Sequence, residues 1–273
     1  MRNRSWKWSL GMSLALFCAA TVQAGEVRVE RTGYALQAEQ TGEGETIVVF
    51  ESGFGQGAGV WKDVIADLGP ACRCVAYARA GASNAKSDGK PKTIDAHLQD
   101  LGALIDAVAP QRKVVLVGHS YGGLLVTEFA RQHADRVQGL VLVDPATMSQ
   151  RHAFRAADEA RVLADDKALL SVLPPKLAED YKLLVSQLDA PAAAAPETQP
   201  DVPVALLTDT AVSPEPFVFE ETAAGKALWK QQHAALFARY ARGVHRYFAT
   251  GHNIHKEDPK AVAEAIRFVS EVK

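Results

Sequence analysis

Residues 114–122 read Val-Val-Leu-Val-Gly-His-Ser-Tyr-Gly, an apolar run that passes directly into the motif G-x-S-x-G. Four apolar residues in succession are typical of a parallel strand that is covered on both faces. Behind the motif, Leu125 and Phe129 have the four-residue spacing of a helix. A serine on the tight turn between a strand and a helix is held in strained geometry with its hydroxyl exposed. This stretch therefore predicts that Ser120 is a nucleophile at the carboxyl end of a strand.

The rest of the chain alternates strand-like and helix-like segments around this stretch. The predicted strands are 47–50, 75–77, 114–117, 140–143, 202–207 and 244–249, and the predicted helices include 94–108, 124–133, 223–240 and 259–272. Repeated strand–helix units favour an α/β fold, a mostly parallel central sheet with helices on both faces. Residues from about 146 to 200 contain helical stretches and no clear strand. We therefore predict one catalytic domain with a helical cap insertion.

Two further runs, together with the G-x-S-x-G motif, resemble the α/β-hydrolase superfamily. The strand at 47–50 ends in Glu-Ser-Gly, as in small bacterial hydrolases of this type, where other relatives have His-Gly. Residues 77–83, Tyr-Ala-Arg-Ala-Gly-Ala-Ser, resemble the Tyr-Asp-Arg-x-Gly-x-Ser loop of the superfamily, with Ala78 in place of the aspartate. The resemblance covers nearly all of the chain after residue 24 and is weakest in the cap. It implies the α/β-hydrolase fold and a serine–histidine–acid triad.

The resemblance also implies positions for the oxyanion hole and the general base. One oxyanion donor is the N–H that follows the nucleophile, here that of Tyr121, and the other comes from the loop after an earlier strand, here that of Phe54. The base belongs in a Gly-His loop near the C-terminus, which identifies His252. His255 is a rival base, and it otherwise lines the pocket rim or caps the last helix. His245 lies within a predicted strand and is interpreted as structural.

The acid that orients the histidine has two candidates. Relatives usually carry it in a Gly-x-x-Asp sequence after the strand that ends here at 207–208. That alignment puts Asp209 at the glycine position and Val212 at the aspartate position. Asp144 follows the preceding strand, where some lipases and dehalogenases of this fold carry their acid, although an aspartate before a proline can also serve only as a turn or cap. We predict Asp144 and keep Asp209 as the alternative, because either strand end can reach one histidine.

The N-terminus has the features of a secretory signal peptide. A basic start precedes the apolar run 9–20, which is short for a membrane span, and small residues stand before position 25. We predict cleavage after Ala24, a hydrolase domain over 25–273 with its cap at about 146–200, and a periplasmic or secreted protein. An uncleaved membrane anchor is the alternative. Once the signal peptide is removed, no stable membrane span is expected.

Composition argues against several classes of function. The 30 basic and 32 acidic side chains give a net charge of −2, without the excess of basic residues that is typical of nucleic-acid-binding proteins. Cys72 and Cys74 flank one residue, a spacing that would strain a disulfide along a strand, so they are interpreted as small buried side chains. The histidines lack carboxylate or cysteine partners at the usual metal-binding spacings. We therefore predict neither a metal nor another cofactor.

A serine nucleophile makes ester hydrolysis the first expectation, because an alcohol leaves more easily than an amine. Amide, lactone, thioester or carbon–carbon bonds are alternatives, and so is a non-catalytic ligand-binding homologue. The leucines of the cap favour an apolar small-molecule ester, unless they only pack the cap helices together. They are Leu163, Leu169, Leu170, Leu173, Leu183 and Leu184.

Overall fold

A computed structural model of the chain describes residues 25–191 and 199–272, so the predicted signal peptide and part of the Ala- and Pro-rich stretch that ends the cap lie outside it. Within these ranges, eight strands form one sheet. The strands are β1 (Gly25–Arg31), β2 (Tyr34–Thr41), β3 (Thr46–Glu51), β4 (Cys72–Tyr77), β5 (Val114–His119), β6 (Val137–Val143), β7 (Val204–Asp209) and β8 (Gly243–Phe248). Their spatial order is β1-β2-β4-β3-β5-β6-β7-β8.

The strands from β4 to β8 in this order are parallel, which confirms the predicted mostly parallel sheet. Parallel strands bring their carboxyl ends to one edge, so the residues that follow β3, β5, β6 and β7 meet there. The sequence does not predict β1 and β2, which pair antiparallel at the other side of the sheet. Val27 and Val29 alternate with charged residues on this half-exposed hairpin, and the hairpin has none of the continuous apolar runs by which the other strands are recognised.

Helices cover both faces of the sheet. They are α1 (Lys62–Leu68), α2 (Ile94–Val108), α3 (Tyr121–Gln132), α4 (Gln150–Val172), α5 (Pro175–Leu188), α6 (Ala223–Phe237), α7 (Ile254–Glu257) and α8 (Pro259–Glu271). Successive strand side chains point to opposite faces. Leu116 accordingly joins the core under α2 and α3, and Val117 joins the core under α1 and α8. No helix in the described ranges combines the length and the apolarity that a membrane crossing requires.

Two helices, α4 and α5, lie between β6 and β7, in the segment predicted to form a cap. Helix α4 is broken at Asp158 (φ −155°, ψ 82°), whose side chain accepts a hydrogen bond from the Arg161 N–H and caps the second half. Arg151 joins the two helices, because its guanidinium lies 2.7 Å from carboxylate oxygens of both Asp166 and Asp189. Such a network holds the two cap helices to each other.

Cys72 and Cys74 on β4 are both buried and free. Burial raises the pKa of the Cys74 thiol to about 12, so it stays protonated at neutral pH. Both side chains therefore act as small apolar groups under α1 and α8, as their spacing predicts.

Candidate active site

Ser120 lies on a sharp turn between β5 and α3. Its backbone has φ 52° and ψ −120°, a conformation that costs a non-glycine residue about 1–3 kcal/mol. Its N–H donates to Val143 O (3.1 Å) and its carbonyl accepts from Ala146 N (2.9 Å), so the turn is tied to the end of β6. A Cβ at Gly122 would lie 2.2 Å from the Glu51 carbonyl oxygen, and only glycine lets α3 begin this close to β3. The serine therefore stands at the carboxyl edge of the sheet in strained geometry.

The two residues predicted to supply the oxyanion donors have neighbouring side chains. Phe54 follows β3, Tyr121 begins α3, and their ring centroids are 6.3 Å apart. Within the described ranges, neither backbone N–H has a protein acceptor. The Tyr121 N–H is also one of the unpaired donors of a helix N-terminus, where developing negative charge is favoured. The loop after β3 and the turn at Ser120 thus each present a backbone N–H that has no protein acceptor in the described ranges.

Asp144 is the acid that the structure brings to His252. Their Oδ2 and Nδ1 atoms are 2.6 Å apart, and Asp144 is fully buried. Its Oδ1 accepts from Trp229 Nε1 (2.7 Å) and from the backbone N–H of Asp209 (2.9 Å). Burial by itself raises the pKa of Asp144, but the hydrogen bond and charge of His252 outweigh it, so the pKa lies below its usual value. The carboxylate stays ionised and accepts from Nδ1, so Nε2 is the nitrogen that becomes basic when the imidazole is neutral.

Asp209, the alternative acid, is paired with a lysine instead. Its Oδ1 lies 2.5 Å from Lys226 Nζ, and both side chains are buried. Burial and the neighbouring Asp144 charge raise the pKa of Asp209 to about 7, although Lys226 opposes the shift. Asp209 therefore contributes charge and a backbone donor to the site and makes no hydrogen bond with the histidine.

Glu220 is a member of this cluster that the sequence does not predict. It lies on a 3₁₀ turn, Phe219–Glu221, that ends the loop after β7. Its Oε1 is 3.7 Å from His252 Nδ1 and 3.4 Å from Lys226 Nζ. No local motif marks this glutamate, because only the path of an irregular loop brings it to the histidine.

The three carboxylates Glu220, Asp144 and Asp209 together raise the pKa of His252. Burial lowers the pKa of the imidazole, but Glu220, the hydrogen bond and charge of Asp144, and Asp209 together raise the pKa to about 9. The resting imidazole is therefore charged at neutral pH. A general base must be neutral to accept a proton, so the cluster predicts activity that rises on the alkaline side.

We expect kcat/KM to rise with pH through a midpoint near 9, because the inactive imidazolium persists up to the raised pKa. Glu220→Gln removes the first of the groups that raise this pKa and should move the midpoint toward lower pH. Glu221→Gln is the matched control, since Glu221 accepts from Phe217 N and lies outside the cluster. A wild-type midpoint near 6.5, or equal profiles for both variants, would contradict this account.

Neither of the other two histidines considered in the sequence, His245 and His255, is placed to act as the base. His255 is fully buried between Trp61 and His119, with ring centroids 4.8 and 4.3 Å away, and burial lowers its pKa to about 3. His255 does not line a pocket rim, because it is fully buried, and it does not cap the last helix, because Asp258 caps α8. His245 Nε2 lies 2.8 Å from Thr208 Oγ1 on the neighbouring strand, which fits a structural role.

The carboxylates around His252 are also of a type that could bind a metal ion. Asp144, Asp209, Glu220 and His252 each offer a ligand atom, and these atoms lie within 4.8 Å of one another. The histidines lack carboxylate partners at the usual sequence spacings, but the fold gathers three carboxylates around His252 from distant positions. Lys226 contacts two of the carboxylates and supplies positive charge at this place. We interpret the cluster as an ion-pair network around the histidine.

Ser120 and His252 are not hydrogen-bonded to each other in this conformation. Across the described residues, the Ser120 hydroxyl has no hydrogen-bond partner. The backbone of His252 is tied to the end of β5, because His119 Nε2 lies 2.9 Å from the carbonyl oxygen of His252. Catalytic hydrogen bonds are often long in unliganded enzymes and tighten only with substrate.

Comparisons with known proteins agree with this architecture. A model of the "Alpha/beta hydrolase family" matches residues 48–265. The pimeloyl-[acyl-carrier protein] methyl ester esterase of Yersinia enterocolitica is 30% identical over 54% of this chain and 52% of its own. The uncharacterized protein YqjL of Bacillus subtilis is 30% identical over 38% of this chain and 42% of its own. The matches thus span about half the length of these curated relatives.

A solved structure extends the likeness to most of the chain. The enol-lactonase of Burkholderia xenovorans superimposes with a TM-score of 0.66 and 20% identity, covering 90% of this chain and 99% of the other. At this level of identity, the similarity supports the fold alone.

Proposed function

Because the chain belongs to the α/β hydrolase family, we propose that it is a carboxylesterase that acts through an acyl-enzyme on Ser120. One observation carries the proposal, the 2.6 Å contact between buried Asp144 and His252 Nδ1 at the sheet edge where Ser120 stands. A buried acid on Nδ1 holds the tautomer in which Nε2 can accept a proton.

The proposed mechanism assigns one task to each group. With substrate bound, neutral His252 accepts the Ser120 proton at Nε2 while the oxygen attacks the ester carbonyl. The Phe54 and Tyr121 N–H groups bind the oxyanion that forms, and the histidine returns the proton to the departing alcohol. Water then attacks the acyl-enzyme by the same route and releases the acid. Asp144 stabilises the imidazolium in both halves of the reaction.

The cap supports an apolar substrate of small or medium size. The Tyr181 ring of α5 lies 5.8 Å from the Phe54 ring, and Leu177 lies over Gly55 of the same loop. An apolar wall therefore stands above one proposed oxyanion donor, where an acyl chain would lie. The cap leucines differ in their surroundings, since Leu184 is buried in the main core and Leu163 is 41% exposed.

A series of p-nitrophenyl esters with increasing acyl length tests this function. We expect hydrolysis with the highest kcat/KM at short or medium chain length, and much slower cleavage of the matching p-nitroanilides. Preferred cleavage of a lactone or amide would replace the ester assignment. If no member of the series reacts at any pH up to about 10, above the raised pKa of His252, the esterase proposal is wrong.

The proposed enzyme is also exported. The apolar run 9–20 and the small residues before position 25 support cleavage by a signal peptidase. N-terminal sequencing of the protein after expression from its full chain should give Gly25 as the first residue. Recovery of the intact N-terminus in the membrane fraction would favour the anchor instead.

A further inference from the structure

Arg79 is a buried cation that the proposed reaction does not use. It comes from the loop after β4, whose sequence includes the Tyr-x-Arg-x-Gly-x-Ser pattern, and it is only 4% exposed. Its Nη1 donates to Ser52 O (2.5 Å) and its Nη2 donates to Gly53 O (2.6 Å). Both acceptors are backbone carbonyls of the loop that carries Phe54, so the guanidinium holds two successive peptide groups of that loop.

The second of these peptide groups is the one that contains the proposed oxyanion donor. Gly53 O and Phe54 N–H belong to the same planar peptide, and the described residues contain no cis peptide bond. In a trans peptide, the carbonyl and the N–H point in opposite directions. A guanidinium fixed on Gly53 O therefore turns the Phe54 N–H away from Arg79. A charged donor on the carbonyl also polarises the amide, which strengthens the hydrogen bond that its N–H can donate.

Arg79 is itself held on several sides. Its guanidinium is paired with Glu51, the last residue of β3, and Tyr77 donates a hydrogen bond to the same carboxylate. The guanidinium carbon lies 5.0 Å from the centroid of the Tyr121 ring. Arg79 thus contacts the peptide group that contains one proposed oxyanion donor and the ring of the residue that supplies the other. A lysine has no planar fork and cannot reproduce two parallel bonds to neighbouring carbonyls.

We propose that Arg79 is a positioning residue that aims and polarises the Phe54 N–H of the oxyanion hole. The catalytic part of this inference rests on the proposed serine hydrolysis. The structural part, the orientation of one peptide group, does not depend on it. Arg79 acts through the loop, and a structural role alone would lower stability without a selective effect on the oxyanion.

Arg79→Lys is the main test, because it keeps a cation beside Glu51 and loses the fork. We expect kcat to fall by about 10²-fold, the scale of losing one oxyanion donor, with KM nearly unchanged. Affinity for an alkyl trifluoromethyl ketone should fall by a similar factor, since its serine adduct carries an oxyanion. If Arg79→Lys does not fold, the double variant Glu51→Gln/Arg79→Met removes both charges and leaves no unpaired ion in the core.

Arg31→Lys is the matched control. Arg31 lies 2.7 Å from buried Asp100, which also accepts from Tyr34 Oη, so this trio repeats the Arg79–Glu51–Tyr77 arrangement away from the site. We expect Arg31→Lys to change the melting temperature but neither kcat nor inhibitor affinity. Equal kinetic losses in both lysine variants, or an unchanged kcat in Arg79→Lys, would overturn the proposal.

A second readout separates this inference from the proposed function. The chain has ten phenylalanines, so selective ¹⁵N-phenylalanine labelling gives a simple spectrum in which the Phe54 amide can be followed. Loss of the charged bond to Gly53 O should shift the Phe54 amide resonance in Arg79→Lys and leave it unmoved in Arg31→Lys. An unmoved resonance in Arg79→Lys overturns the positioning role. A wild-type protein without hydrolytic activity contradicts the proposed function. The Phe54 amide resonance would still show whether Arg79 orients that peptide group.

Discussion

Replacing Ser120 by alanine is expected to lower kcat by about 10⁶-fold, because the reaction loses the atom that forms the acyl-enzyme. The residual rate would come from substrate binding and from the donors at Phe54 and Tyr121. Substrate affinity, measured with the inactive variant by direct binding, should remain close to the wild-type KM. Loss of activity by less than about tenfold would show that another residue is the nucleophile.

The same position offers a stability control. Alanine keeps the Cβ at φ 52°, so Ser120→Ala should retain the backbone strain and the melting temperature of the wild type. Ser120→Gly removes the Cβ and should raise the free energy of unfolding by about 1 kcal/mol, since glycine adopts positive φ without steric cost. Denaturant unfolding of the two variants measures the difference. A destabilised glycine variant would argue against a strained elbow.

Replacing Asp144 by asparagine is expected to lower kcat by about 10⁴-fold with the fold intact. The amide can place an N–H where the carboxylate now accepts from His252 Nδ1, which would favour the tautomer with a protonated Nε2. It also removes the charge that stabilises the imidazolium in the transition state. Steady-state kinetics with an ester substrate, alongside thermal unfolding, measures the effect.

Asp209→Asn is the comparison variant for this prediction. Asp209 Oδ1 lies against Lys226 and does not bond the histidine, so we expect a loss of tenfold or less. A loss at Asp209 that equals or exceeds the loss at Asp144 would place the acid on β7. The two variants therefore decide between the strand ends by a difference of about three orders of magnitude.

The fold and the nucleophile could be predicted because their signals are local. A continuous apolar strand, two glycines around Ser120 and a helix behind it occupy adjacent positions in the chain. The hairpin of β1 and β2 has only a weak alternation of apolar residues, so the sequence does not predict it.

The acid could be narrowed to two residues but not chosen from the sequence. Asp144 and Asp209 both stand at the carboxyl ends of parallel strands that are neighbours in the sheet. The topology of the backbone therefore gives no reason to prefer one of them. Side chains of α6 distinguish the two carboxylates, because Trp229 donates a hydrogen bond to Asp144 while Lys226 forms an ion pair with Asp209. No sequence motif marks Glu220 as a neighbour of His252, because an irregular loop and one 3₁₀ turn bring it there.

The central claim is that Ser120 is an activated nucleophile, and a fluorophosphonate probe tests it most directly. The serine oxygen would displace fluoride from phosphorus, and mass spectrometry of the digested protein would locate the adduct. At about pH 10, above the raised pKa of His252, we expect one adduct per chain, on the peptide that contains Ser120, with labelling abolished in Ser120→Ala and strongly slowed in Asp144→Asn. An unlabelled wild-type protein, or an adduct on any other residue, would contradict the account.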